Sequence, residues 1–378
     1  MAHYKMSDVA VEVNDRENNP ANSQYERFVG LEHYVSGEVI IRNYGSTQNL
    51  ESTMKIFQSG DVLVARRNVY LKRAATVDFD GLTSGDSIVL RAKNPVIGRI
   101  LPFVLNTDAF WDFADQYSDG TMSKRLSPKT LMTYEFDLPN EDELESFADL
   151  LWAANDARES YQELLRQTDE LVKSQFIELF NGNQHPVKRL EEVSIVTSGL
   201  TKNSKRSAMQ IKMKYLRVAN VLFNELDLSD VQEIGVEERE IEKSLLQKND
   251  LLFVEGNGSP DQIGRVSLWD GSIAPILHQN HLIKARFNGT VLPEYAMYYF
   301  MSDEGRKQIL LSASTTSGLY TLSTGKIAAF ELPIPPLTLQ KKFLELTKQT
   351  DKSKFEIKKA IENTSALIKS LMQQDLST

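Results

Sequence analysis

The sequence predicts an α+β chain in which two β-rich domains alternate with two long helices, the helices pairing as an antiparallel coiled coil and the whole having pseudo-twofold symmetry. Three observations predict it. Residues 140–182 read as one helix with a narrow apolar seam and no Gly or Pro between Glu141 and Phe180. Residues 337–376 have the same character, through Phe343, Leu346, Ile357, Ile361, Ile368 and Leu371. The chain also repeats itself at a shift of 196: Leu126-Ser127 falls on Leu322-Ser323, Tyr134-Glu135 on Phe330-Glu331, and Leu138-Pro139 on Ile334-Pro335. The implied boundaries are a domain at 1–139, a helix at 140–182, a second domain at 183–336 and a second helix at 337–378.

The first domain reads as strands over 28–35, 38–44, 61–67, 86–92 and 97–105, which are short apolar or alternating runs rich in β-branched residues. An amphipathic helix is expected at 107–119, and Pro139 closes the domain. In the long helix after it, Leu144, Phe147, Leu151, Ala154, Arg158, Tyr161, Leu165, Thr168, Val172 and Gln175 step by three and four, a heptad-like seam. Leu150, Leu164 and Leu171 broaden it. Forty residues of helix would span roughly 60 Å, the dimension of a spacer. The second domain repeats the outline, with strand-like runs at 215–221, 250–258, 264–270 and 281–287, and one helix pattern at 292–311. Asp61-Val62-Leu63-Val64 corresponds to Asp250-Leu251-Leu252-Phe253 at a slightly shorter shift. The helices and the sequences leading into them repeat well, whereas the globular parts repeat in outline and differ in detail.

The absence of cysteine from these 378 residues rules out disulfides and Cys-ligated metal sites, and fits a reducing compartment. No apolar h-region opens the chain and no run approaches the ~18 residues that span a bilayer, so a cytoplasmic protein with no membrane partner is expected. The net charge of −9 argues against wholesale nucleic-acid binding, but the charge is segregated. Residues 201–217 carry six Lys or Arg and no acid, 55–73 carry five against Asp61, and 122–130 carry three with no acid. A local basic footprint on an acidic body is the pattern of a protein that meets DNA with part of its surface.

Catalytic motifs are not found. TSGLYTLSTGKI (316–327) fails as a phosphate loop because Gly318 and Gly325 enclose six residues and Ile327 stands where Ser or Thr is required. Gly256, Gly258 and Gly264 are spaced wrongly for a dinucleotide fingerprint. His278 and His281 are three apart but lack an acidic partner or third ligand, which favours polar contacts in a loop or groove over metal binding. No cofactor site and no catalytic centre are expected in this chain.

At FELPIPPLTLQKKFLEL (330–346), SGDVLVAR (59–66), NDLLFVEGNG (249–258) and RLSPKTLMTYEFDLP (125–139) the sequence resembles the specificity subunits of type I restriction–modification systems. The resemblance covers the whole chain, and Leu-Pro-Ile-Pro-Pro followed by Gln340 is its most specific element. The first copy departs from it, with Asn140 and Glu141 where the second has Pro336 and Leu337. The resemblance implies two target-recognition domains, each reading one half of a split, asymmetric double-stranded DNA sequence, with the helices setting the unread spacer. It implies two modification subunits that bind S-adenosylmethionine and methylate adenine, docked on the outer helix face near Trp152, Arg158, Glu163 and Arg166. Two restriction–translocase subunits can join them. The subunit itself would be non-catalytic.

Candidate DNA contacts are Arg66, Arg67, Asn68, Lys72, Lys124 and Arg125 in the first domain. In the second they are Lys202, Asn203, Lys205, Arg206, Asn257, Ser259, His278, Tyr320 and Thr321. Cations would supply affinity through phosphates, and polar side chains would read base edges. Lys124-Arg125 and Tyr320-Thr321 coincide at the 196 shift, which suggests a shared DNA-facing loop. The competing reading is a protein–protein scaffold, two β-rich modules on a coiled coil with no DNA role, which the acidic net charge favours. A third, the recognition region of a fused single-chain restriction–methylation enzyme, is disfavoured by the lack of a catalytic domain.

Overall fold

The computed structural model describes residues 2–120, 123–180, 185–316 and 318–374. It divides into two compact units. One joins the residues up to 164 with those from 356 on, and the other is Leu165–Phe355. Each long helix therefore contributes half its length to each unit.

In the first unit the central sheet is antiparallel, in the order Ala10–Val13, Ser87–Ala92, Val62–Ala65, Ala74–Thr76. A five-stranded sheet adjoins it in the order Arg16–Glu17, Met54–Phe57, Gly81–Thr83, Arg27–Val29, Gly45–Ser46. Ala2–Lys5 pairs with Glu135–Leu138 and ties the start of the chain to the approach to the long helix. Residues 97–105 form a helix, Pro95–Val104, where a strand was expected. The Asn94 side chain accepts from the Val96 and Ile97 amides and Pro95 occupies the first turn, so capping decides what an apolar run alone leaves ambiguous. Residues 28–35 and 38–44 give only the strand Arg27–Val29 and an isolated bridge at Ile40, because this stretch turns through a short 3-10 segment at Leu31–His33. The expected helix at 107–119 is present as Asp108–Gln116, capped by Thr107.

The second unit repeats the central sheet strand for strand: Ser194–Ser198, Leu282–Phe287, Leu251–Val254, Val266–Leu268, all antiparallel. Val187–Arg189 pairs with Glu331–Pro333, as Ala2–Lys5 does with Glu135–Leu138. Ser127 and Ser323, coincident at the 196 shift, cap short helices by accepting from the amides three residues on. The single helix expected at 292–311 is two, Pro293–Met301 and Asp303–Ser312, because Ser302 adopts extended backbone and caps the second.

The long helices are Leu144–Phe180 and Leu337–Gln374. Residues 140–143 precede the first as a turn, and 181–182 and 375–376 lie outside the described residues. In the first unit Leu144, Ala148 and Leu151 share a core with Met372, flanked by Ile368 and Leu371. In the second, Val172, Phe176 and Phe180 share a core with Phe343 and Leu344. The start of one helix thus meets the end of the other in both units, the antiparallel pairing that the seams predict. Phe343 is fully buried, its ring edge-on to Phe176 at 5.3 Å and to Phe180 at 5.6 Å.

Two details of the seam differ from expectation. Leu150, Leu164 and Leu171 are about half exposed, so they do not broaden it. Trp152 and Arg158 are not on an outer face. Trp152 donates to the Arg99 carbonyl at 2.9 Å and packs edge-on against Phe103, and Arg158 donates to Glu38 at 3.1 Å and Asn155 at 2.9 Å. The Gln340 of the family-like segment is fully buried. It donates to the Pro335 carbonyl and accepts from the Leu292 amide, both at 2.8 Å, which locks the Pro-Pro turn to the helix beyond it. Leu144 stands at the corresponding place in the first copy, is buried by apolar contact, and needs no such turn.

Candidate nucleic-acid interface

In the first unit, strand Val62–Ala65 ends at a loop, 66–73, that is stitched to two neighbours through its backbone. The Arg66 amide donates to the Asp86 carbonyl at 2.9 Å, and the Arg66 carbonyl accepts from the Leu126 amide at 2.8 Å. Arg67 lies opposite Arg125 in an antiparallel bridge, and the Asn68 amide donates to the Lys124 carbonyl at 2.9 Å. Asn68 and Lys72 both take the left-handed conformation, at φ 56° and 46°, and bracket the 3-10 turn Val69–Leu71. Val69 is buried beneath this turn while Tyr70 stands out, 66% exposed. The fold thereby gathers Arg66, Arg67, Asn68, Lys72, Lys124 and Arg125 onto one loop pair, although residues 74–123 separate its two arms in sequence.

Carboxylates surround these cations. Asp86 pairs with both Arg67, at 3.5 Å, and Arg125. Lys124 donates to Asp115 at 2.6 Å and Lys72 to Asp108 at 3.0 Å. Hydrogen bonds from Lys369 and then Lys72 hold the Asp108 carboxyl down at about 2. The Arg66 guanidinium has its pKa lowered, first by burial and then by the nearby Arg125 charge. Exposed ion pairs of this kind are each worth ~0–1 kcal/mol, so a phosphate can replace the carboxylate at little cost.

The second unit builds the same loop pair. The Glu255 amide donates to the His281 carbonyl at 2.9 Å and the Glu255 carbonyl accepts from the Leu322 amide at 2.8 Å. Gly256 pairs with Thr321 and Asn257 with Tyr320. Asn257, Ser259, Tyr320 and Thr321 are therefore together, with the Asn257 side chain accepting from the Ser259 amide at 2.9 Å. Lys202, Asn203 and Lys205 are exposed elsewhere in this unit, Asn203 capping and Lys205 lying on the 3-10 turn Ser204–Ala208 beside the sheet formed by Gln232–Gly235, Lys212–Leu216 and Leu277–His278.

Two of the predicted contacts turn inward. Arg206 is buried, donating to the Thr201 carbonyl at 2.6 Å, the Gly235 carbonyl at 2.9 Å, and both oxygens of Glu240 at 2.9 and 2.7 Å. That pairing depresses the Glu240 carboxyl to about 2. Every polar arm of Arg206 is used in holding the turn, in place of the surface contact that its basic neighbours suggested. His278 is fully buried, its Nδ1 2.8 Å from the Ser244 carbonyl, and burial pushes its pKa down to about 4. A neutral core imidazole replaces the groove contact expected from the sequence. His281 is exposed and donates from Nδ1 to Glu255 at 2.5 Å. Among the described residues no cluster of three His, Cys, Asp or Glu could hold a metal ion.

Sequence reasoning missed Tyr70, Asp86 and Glu255, and gave His281 no acidic partner where the structure gives it Glu255. Only the backbone register shows that 66 with 86, and 255 with 281, are neighbours.

The structure thus holds a duplicated loop pair on a duplicated β-rich unit, each unit taking part of both long helices. Residues 184–364 match the family described as type I restriction modification DNA specificity domain. Over those residues, just under half of the chain, the sequence is similar to that family. The chain is 30% identical over 203 residues to the type I restriction enzyme EcoKI specificity subunit of Escherichia coli K12, covering 51% of this chain and 42% of that one. It is 25% identical over 183 residues to the StySPI specificity subunit of Salmonella potsdam, covering 48% and 39%. The matched stretches thus span less than half the length of these curated relatives. Two solved structures share the fold. A chain from a structure of type I R-M system assembly and conformational transition has a TM-score of 0.57 at 16% identity, covering 99% of this chain and 97% of that one. The type I restriction–modification S subunit from M. genitalium has 0.54 at 14%, covering 99% and 95%.

Proposed function

We propose that this chain is the non-catalytic DNA-specificity subunit of a type I restriction–modification complex. Each unit reads one half of a bipartite, asymmetric duplex sequence, and the long helices set the number of unread base pairs. The observation that carries this reading is the loop pair, which has one set of backbone hydrogen bonds in both units and unlike side chains on it. One frame with two chemistries is what an asymmetric target requires. Two modification subunits that bind S-adenosylmethionine and methylate adenine would be directed to the target, and two restriction–translocase subunits can join them. This chain needs no cofactor of its own, and it works in the cytoplasm, where the DNA is; among the described residues no helix is long and apolar enough to cross a membrane. Lys72 and Lys124 of the first unit take phosphates in exchange for Asp108 and Asp115.

Binding of the chain, assembled with its modification subunits, to duplex DNA across a salt series tests this. A steep fall of affinity with salt and a preference for particular sequences are expected. Sequence-blind or salt-independent binding would favour the scaffold reading.

A further inference from the structure

The loop pairs share a backbone corner whose side chains are inverted in charge. Arg66 and Glu255 occupy equivalent places, since each donates its amide to the residue before the longest sheet strand and accepts from the leucine before a serine cap. By the same bonds Asp86 corresponds to His281 and Arg125 to Thr321, while Arg67 corresponds to Gly256 through the paired strands. In the first unit three arginines gather at one carboxylate, Asp86, which contacts Arg67 and Arg125. In the second, a carboxylate stands where Arg66 was, Gly256 and Thr321 replace the other two arginines, and a histidine takes the place of the acid. The reacting groups are accessible: the side chains of Arg67, Arg125 and Glu255 are 47%, 44% and 30% exposed.

The main chain builds this corner from bonds that no side chain takes part in, so the side chains are free to differ. A guanidinium keeps unused N–H donors when one or two of its five are held by a carboxylate, and it matches the paired acceptors O6 and N7 of guanine. A carboxylate held at one oxygen by His281 keeps the other as an acceptor, and in the major groove acceptors meet the exocyclic amino group of cytosine or adenine. Resting on the proposed function, we infer that this corner is a base-reading element in both units. Arg67 and Arg125 read guanine in the half-site of the first unit. Glu255 reads an amino-bearing base, cytosine or adenine, in the half-site of the second.

The test uses the assembled methyltransferase and a duplex library randomised in both half-sites, with the methylated members sequenced. The wild-type complex must first show a two-part preference; if it shows none, the proposed function itself falls before any variant is compared. With that preference in hand, Arg125→Gln loosens a guanine at one position of one half-site by about fivefold to a hundredfold, the range of one bidentate base contact. Glu255→Gln loosens a cytosine or an adenine at one position of the other half-site, and the base that loses its preference identifies which amino group is read. In each variant the untouched half-site reports that the protein is folded. Arg67→Gln provides a second variant at the first corner and must act on the same half-site as Arg125→Gln. Unchanged preferences at every position, or equal loss in both half-sites, would overturn the inference.

Discussion

Arg91 grips the buried carboxylate of Asp61 with two donors, Nε at 2.8 Å and Nη2 at 2.7 Å, and Asp61 also accepts from the Gln58 amide at 2.8 Å. The second unit repeats this with Arg286 on Asp250, both contacts at 2.7 Å, and the Gln247 amide at 2.8 Å. Each pair clamps the turn before one inner strand to the neighbouring strand of the sheet that carries the loop pair. Arg91→Ala leaves Asp61, 1% exposed, as an uncompensated buried charge. We expect it to lower unfolding free energy by about 3 kcal/mol, read as a lower denaturant midpoint. Arg286→Ala should do the same, and a cost below about 1 kcal/mol for both would mean that the clamp is not structural.

Lys72 and Lys124 are paired only with exposed carboxylates. Lys72→Ala combined with Lys124→Ala should leave stability near wild type and weaken binding to all duplexes alike. The slope of log K against log salt should fall by about two, one for each lost phosphate contact. An unchanged slope would remove both residues from the interface.

His278 supplies a pH dependence whose sign is fixed by burial. Its folded pKa of about 4 lies below the ordinary 6.5, so the unfolded chain binds the proton more readily. Stability is full above pH 6.5 and is lost as pH falls from there toward 4, by on the order of 3 kcal/mol from this group, at 1.36 kcal/mol per unit. His278→Gln should flatten that part of the stability profile in urea melts between about pH 7 and pH 4. A variant profile as steep as wild type would place the titration elsewhere.

The long helices link the proposed function to a length. Removing seven residues from each shortens both by about 10 Å, some three base pairs of duplex. The gap between the half-sites should shorten accordingly, or modification should be lost. Methylation at the original spacing would show that the helices are not the ruler.

The architecture was readable where the physics is local. Heptad spacing located both long helices, and the serine caps with their downstream aromatics repeated at one shift. Charge points to Arg66, Arg67, Lys72, Lys124 and Arg125, and the fold brings these five and Asn68 onto one loop pair. The hidden features depend on partners distant in sequence. Arg206 looks like its exposed neighbours until Glu240 is placed beside it, and His278 like a loop residue until Ser244 and the sheet close over it. The strand reading of 97–105 failed because Asn94, outside the apolar run, caps that run and settles it as a helix.

Sequencing modified adenines in DNA exposed to the assembled methyltransferase tests the central claim most directly. The account predicts one two-part sequence with unlike halves and a fixed gap, its first-unit half altered by Arg125→Gln and its second-unit half by Glu255→Gln. Modification of a single continuous site, or of the same two-part sequence by all three proteins, would contradict it.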